Sequence, residues 1–179
     1  MKYLIVSDVH GSIEAMEIIL SAFNKEKADK LIILGDVYNH GPRNLIPSGY
    51  SPKRLSEILN SIKDKIIVLK GNCDSEVDKT ISEFEFLENL VIDFKNKSIF
   101  LSHGHVYNKN AIPKTNFNAL VYGHFHTAFI EEENGVVFAN PGSISIAKDD
   151  ITAYLVLEDG VLTLKSINGV VLATKEIGE

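Results

Sequence analysis

Apolar residues gather along the chain in short bursts bounded by Gly, Asp and Asn: YLIV at 3–6, LIIL at 31–34, IIVL at 66–69, IFL at 99–101, ALVY at 119–122 and VVF at 136–138. Short runs of Ile, Val and Leu without polar alternation predict strands covered on both faces. Helical spacing separates the first three. IEAMEIILSAF, which follows Ser12, puts Ile13, Met16, Ile19, Leu20 and Phe23 on one stripe. SPKRLSEILNSI puts Leu55, Ile58, Leu59 and Ile62 on another, with Ser51 placed to cap and Pro52 in the first turn. The order β-α-β-α-β predicts a parallel sheet with right-handed crossovers.

The second half changes character. From about residue 90 strands follow one another with little helix between them, and 151–175 reads as a closing meander with turns at Asp159-Gly160 and Asn168-Gly169. A second sheet packed on the first predicts an α/β fold, a two-sheet sandwich flanked by helices. The Gly/Pro segment YNHGPRNLIPSGY at 38–50 is long enough to be a functional loop.

With 179 residues the chain is expected to form a single domain, 1–179, against a prior of roughly 100–200 residues per domain. Its 18 Lys and Arg against 24 Asp and Glu leave a net charge of −6. That balance argues against a stable grip on nucleic acid or on an anionic membrane. The lone Cys73 excludes an intramolecular disulfide framework and suits a reducing compartment. The opening MKYLIVSD is too short for a signal-peptide core, and no apolar run approaches the roughly 18 residues of a membrane span. The expectation is a soluble cytoplasmic protein.

The polar residues that carry chemistry fall directly after the strand-like bursts. YLIV leads to Ser7-Asp8-Val9-His10-Gly11, LIIL to Gly35-Asp36, IIVL to Lys70-Gly71-Asn72-Cys73-Asp74, IFL to Ser102-His103-Gly104-His105, and ALVY to Gly123-His124-Phe125-His126. In α/β sheets the carboxyl ends of parallel strands form the binding crevice, so these clusters should converge. Asp8 and His10, two apart at an extended strand end, should point to one side, and His124 and His126 repeat the spacing. Asp8, His10, Asp36, Asn72, His103, His124 and His126 are seven candidate metal ligands, too many for one ion once waters are added. Two divalent ions sharing Asp36 would use them all. Imidazole mixed with carboxylate and amide suits Mn²⁺, Fe, Zn²⁺ or Ni²⁺ better than Ca²⁺ or Mg²⁺.

In this order, D-x-H, GD, GN-x-D, a later His in SHGH and GHxH, the chain resembles the calcineurin-like metallophosphoesterase superfamily over residues 1–147. The strings SDVHGS, GDVYNHGPRN, GNCDSEVD, YGHFHT and NPGSIS look like its small bacterial and archaeal YfcE-type phosphodiesterase branch. The resemblance implies a four-layer α/β/β/α sandwich of two mixed sheets and a binuclear centre, Mn²⁺ being the leading expectation. By that pattern Asp8, His10, Asp36 and His126 hold one metal, and Asp36, Asn72, His103 and His124 hold the other. The substrate implied is a small-molecule phosphodiester, attacked by a hydroxide bridging the two ions.

The catalytic candidates are Asn72 and His103, together with His40, Arg43 and Cys73. His40 and Arg43, in the loop after Asp36, are placed to offer a donor or a positive charge to the phosphate. Cys73 stands where the wider superfamily has Gly-Asn-His-Asp/Glu, which weakens the alternative of a phosphomonoesterase. A non-catalytic scaffold of the same fold, like the metal-poor retromer subunit of eukaryotes, is the other alternative. Asp74 is expected to orient Asn72 or a His as an acceptor, His105 to be supporting or structural, and Asn140-Pro141-Gly142-Ser143 to be an architectural turn. The sequence leaves a homodimer or homotetramer open.

Overall fold

The apolar bursts form strands where their spacing places them. A computed structural model describes residues 1–178, with β1 (Lys2–Val6), β2 (Lys30–Ile33) and β3 (Ile66–Leu69) parallel and adjacent. The crossovers are α1 (Ile13–Glu26) and α2 (Pro52–Ser61). The Ser12 hydroxyl caps α1 by accepting from the Ala15 N–H at 3.2 Å, and the helix stops at Lys27, whose φ of 53° is left-handed. Ser51, expected to cap α2, makes no such side-chain bond; its N–H instead donates to the Gly11 carbonyl at 2.8 Å and pins the end of the 38–50 loop to the start of α1.

Both faces of the central strands are covered, which is why they carry no polar alternation. Leu4, Val6, Leu31, Ile33 and Val68 meet Met16, Ile19, Phe23, Leu55 and Leu59 of the helices. Ile5, Ile32 and Leu69 face the other way, into the core between the sheets.

The closing meander does not extend the second sheet. Its strands β10 (Ala153–Glu158), β11 (Val161–Ser166) and β12 (Val171–Glu176) return to the first, because β10 pairs antiparallel with β1, Leu4 opposite Val156. The first sheet is therefore mixed, in the order β12-β11-β10-β1-β2-β3-β4, with Phe86–Leu87 as β4. Asp159 and Gly160 both have positive φ (50° and 80°), as a tight two-residue hairpin of right-handed twist requires.

The second sheet runs β5-β6-β7-β9-β8, comprising Asn89–Phe94, Lys97–Ser102, Ala119–Tyr122, Val136–Pro141 and Ala128–Glu133 in that order. Its three inner strands, β6, β7 and β9, are parallel. Leu101, Val121, Val137 and Ala139 turn inward to pack with Leu155 and Leu164 of the meander. On the outer face Phe100, Leu120, Tyr122 and Phe138 are covered by Tyr107 and Phe117. The expected α/β sandwich of two mixed sheets is thus present, but its fourth layer is the segment 103–118, which contains no helix. No helix among the described residues is long and apolar enough to cross a membrane.

Leu155 lies at 0 % exposure in the inter-sheet core, whereas Leu172 on the edge strand β12 is 45 % exposed. Leu155→Ala is expected to cost about 2–5 kcal/mol in denaturant unfolding. Leu172→Ala should cost under about 0.5 kcal/mol. Equal losses would contradict this placement of the core.

Candidate metal centre

The site forms where parallel strands of both sheets end. Beyond β1 and β2 the two chains stay paired through irregular backbone: the Asp8 N–H donates to Gly35 O at 3.1 Å, His10 N–H to Asp36 O at 2.9 Å and Gly11 N–H to Val37 O at 2.8 Å. Asp8, His10, Asp36, His124 and His126 all have positive φ, between 48° and 68°. Asp8 and His10 are therefore not extended, and left-handed kinks, not strand alternation, aim their side chains together. Asp, Asn and His tolerate that region better than other non-glycine residues, though each such residue still stores strain.

Three histidines share one arrangement. Nδ1 of His10, His103 and His126 lies against the carbonyls of Asn39 (2.7 Å), Leu34 (2.9 Å) and Ile146 (3.0 Å). Each Nδ1 must carry the proton it donates, which leaves Nε2 with a lone pair facing the site. Nε2 of His10 and Nε2 of His126 approach to 3.2 Å, and Asp8 Oδ1 lies 3.2 Å from the latter and 3.6 Å from the former. Asp8 Oδ1 is buried with no hydrogen-bond partner. Three acceptors converging at these distances repel one another unless a proton or a cation stands among them. The donor set fits a divalent ion with mixed nitrogen and oxygen ligation.

A second group adjoins the first. Asp36 Oδ2 lies 3.9 Å from His10 Nε2, and its Oδ1 lies 3.4 Å from His103 Nε2 and accepts the Cys73 N–H at 2.8 Å. Asn72 turns Oδ1 toward His103 Nε2 (3.1 Å) and Nδ2 toward Cys73 Sγ (3.3 Å). Asp36 thus stands between the two groups. His124 is tied in by its backbone, whose N–H donates to Asp8 Oδ2 at 2.9 Å, and its ring lies 5.2 Å from that of His103.

Supporting residues differ from expectation in informative ways. Asp74 does not orient Asn72 or a His. Its carboxylate accepts the N–H groups of Asp36, Val37 and Gly71 at 2.7–2.8 Å, so it clamps the β2 and β3 loops at the backbone. Gly71 is required there, because a Cβ would overlap Oδ1 of Asp36. Asn140 and Ser143 are the architectural elements expected: Asn140 donates to Gly123 O at 2.9 Å, and the Ser143 hydroxyl to Asp8 O at 2.7 Å, joining the loops of the two sheets.

A cavity of ≈ 780 Å³ opens over Asp36, Asn72, Cys73, His124 and His126, and Arg43 lines it as expected. His40 does not line it; its ring packs edge-on against Tyr50 at 5.3 Å. His105 lies beside the site, its ring 5.3 Å from His103. Sequence reasoning missed Phe125 and Lys148, both in the lining. Phe125 sits between two histidines already singled out, but Lys148 follows no strand-end signal.

Fold and constellation together define a metal-binding α/β sandwich of phosphoesterase type. The sequence model of the calcineurin-like phosphoesterase superfamily domain matches residues 1–159, and the chain belongs to that superfamily. Phosphodiesterase YfcE of Escherichia coli is 40% identical over 173 residues, 94% of this chain and 93% of the relative. The solved structure of YfcE, described as a phosphoesterase from E. coli, aligns with a TM-score of 0.94 at 38% identity, covering 99% of this chain and 100% of that one. A phosphodiesterase of Methanocaldococcus jannaschii is 26% identical over 151 residues, 79% of this chain and 83% of the relative. Vacuolar Protein Sorting 29 from Cryptosporidium parvum shares the fold alone, with a TM-score of 0.65 at 20% identity over 99% and 98% of the two chains.

Without metal the carboxylates must be offset by protons on the imidazoles. Burial opposes charge on His103, yet its hydrogen bond to Asp36 and the charges of Asp8 and Asp36 push it up to about 9. His10 moves the same way through Asp8 and the Asn39 carbonyl, against its own burial. A histidine raised from an unfolded value near 6.5 contributes its full stabilisation below that pH and loses it as pH rises through the folded value. The melting temperature of chelator-treated protein should therefore fall between pH 6.5 and about 9. Loading with Mn²⁺ should flatten that slope, since the cation replaces the protons. A chelated protein whose stability is flat across this interval would contradict the pairing.

Proposed function

We propose that the chain is a metal-dependent phosphodiesterase acting on small organic phosphodiesters. The observation that carries the reading is the convergence of Asp8 Oδ1 with Nε2 of His10 and His126, three buried acceptors that need a proton or a cation among them and whose nitrogen and oxygen donors suit a divalent ion. The superfamily membership and the phosphodiesterase relatives direct that metal chemistry to a phosphate ester. Asp8, His10, Asp36 and His126 would hold one ion, and Asp36, Asn72, His103 and His124 the second, with Mn²⁺ the leading candidate and Zn²⁺, Fe or Ni²⁺ the others. When bound, such a pair of ions offsets phosphoryl charge and lowers the pKa of water toward neutrality.

The chain's own residues decide the rest. Asp36 keeps the two groups at a fixed separation through its Cys73 and Asp74 contacts. Asn72 is held with its oxygen toward the site because its amide nitrogen faces Cys73 Sγ. Burial, followed by the Asp36 charge, pushes the Cys73 thiol up to about 12. In the metal-free protein the thiol therefore stays protonated, and a thiol, a weaker acid than an imidazolium, gives little help to a departing alkoxide, whereas an aryl leaving group departs without a proton. This favours aryl phosphodiesters over alkyl diesters and over monoesters. A metal-free scaffold would have to meet the buried Asp8 charge with protons on the neighbouring imidazoles. The reducing compartment that suits a free Cys73 agrees with a cytoplasmic location.

Asp36→Asn removes the carboxylate proposed to bridge the two ions. Elemental analysis should show loss of metal from both sites, and kcat/KM for bis(p-nitrophenyl) phosphate should fall by at least about 10²-fold, more than for the loss of a supporting partner. Retention of two metals per chain with near-normal turnover would remove Asp36 from its bridging role.

Cys73→His should raise the monoester-to-diester ratio of kcat/KM at matched metal occupancy. The replacement supplies a group that titrates near 6.5, and acid assistance is typically worth roughly 10²–10⁴-fold. An unchanged ratio in both Cys73→His and Cys73→Ala would make Cys73 a positioning residue for Asn72 only.

A further inference from the structure

The cavity is much larger than one phosphate requires, and its charge is uneven. Among the described residues Asp36 is the only carboxylate in its lining, and it faces the metal groups. Arg43 and Lys148 also line it. Neither has a carboxylate within ion-pairing distance among the described residues, in a chain whose net charge is −6.

Both cations are fixed at their backbones. The Lys148 N–H donates to His126 O at 2.9 Å, and the next residue, Asp149, accepts the Ala128 N–H at 2.8 Å. Lys148 is thereby held in register with the His126 loop while its side chain stays exposed. Arg43 sits within a turn closed by the Gly41 N–H to Asn39 Oδ1 at 2.8 Å and by Asn44 Nδ2 to His40 O at 2.8 Å. The same Asn39 supplies the carbonyl that holds His10 Nδ1. Each cation is therefore anchored to a loop that also positions a site histidine.

The phosphate of a diester carries a single negative charge, which the two ions, when bound, would meet. Two further unpaired cations over the same cavity exceed what that one charge needs. A phosphate monoester carries close to two charges at neutral pH and offers three acceptor oxygens, which match one guanidinium fork and one ammonium. We propose that Arg43 and Lys148 form a second anion subsite, and that the preferred substrates are small phosphodiesters bearing a terminal phosphate on one of their alcohols. The net charge of −6 sets itself against a long polyanion in this place.

The inference rests on the phosphodiesterase reading, and the test separates the two. The substrates are p-nitrophenyl phosphodiesters of ethylene glycol, propanediol and butanediol, each with the far hydroxyl free or phosphorylated. The scissile bond and leaving group are the same throughout. In the wild type the phosphorylated partner should be favoured in kcat/KM by about tenfold at the linker length that spans the cavity. Lys148→Gln and Arg43→Gln should each reduce that ratio by about threefold, and the double substitution should bring it close to one.

A second readout needs no turnover. In chelator-treated protein, binding of the diol bisphosphates and monophosphates is followed by amide chemical shifts. The bisphosphate of that length should bind more tightly in the wild type, and this preference should vanish in the double variant. A ratio near one at every linker length in the wild type, or a preference that survives the double substitution, would overturn the proposal. Failure of the metal-loaded protein to cleave any of the diesters would overturn the phosphodiesterase reading instead, and the metal-free binding preference would then decide the subsite on its own.

Discussion

Two carboxylates buried at the ends of neighbouring parallel strands set the terms for everything around them. Asp8 and Asp36 are 0 % and 2 % exposed. Isolated carboxylates at that depth would be protonated or expelled. They are instead held well below the ordinary carboxylate range: burial pushes upward, but His10 and His126 beside Asp8, and His103 beside Asp36, prevail. Those imidazoles are themselves oriented by backbone carbonyls at Asn39, Ile146 and Leu34. The charge problem in the centre thus dictates the positions of three loops from two sheets.

The backbone accommodates this demand at a local cost. Five ligand candidates occupy the left-handed region, and the neighbouring glycines leave space that no side chain could share: a Cβ on Gly123 would overlap the Ser7 hydroxyl, as one on Gly71 would overlap Asp36. Asp74 is the counterweight. Three backbone N–H groups converge on its carboxylate, although burial still lifts it to about 6. It performs for the β2 and β3 loops what Asn140 and Ser143 perform for the loops after β1 and β7.

The legible parts of the molecule were those where one residue type has one physical use. Apolar bursts marked strands buried on both faces, and Asp, His and Asn directly after them marked the site, since all six of the parallel inner strands end at one edge of the sandwich. What escaped was set by tertiary context. The meander carries nothing in its own residues that says it joins β1 rather than β6; its partner is chosen by the core it completes through Leu155 and Leu164. A GN-x-D string does not say which way the carboxylate turns, so the backbone clamp at Asp74 has no signature in the sequence. His40 resembled a site residue by its distance along the chain from Asp36, yet a glycine turn swings it to Tyr50, and Lys148 enters only through a backbone bond to His126.

Neither sheet contains a complete site. The first supplies Asp8, His10, Asp36 and Asn72, and the second supplies His103, His124 and His126, while Ile5, Ile32, Leu101 and Val121 fill the core between them. Docking the sheets buries that apolar core and in the same step brings the acceptors of Asp8, His10 and His126 to within 3.6 Å of one another. Apolar burial is what drives the sheets together, and it must also offset the repulsion among those acceptors when neither a proton nor a cation stands among them. A ligand that binds only the docked arrangement then stabilises the fold by mass action. A metal held there would be a structural link between the two sheets, because the candidate ligands are divided across the same interface that the hydrophobic core closes.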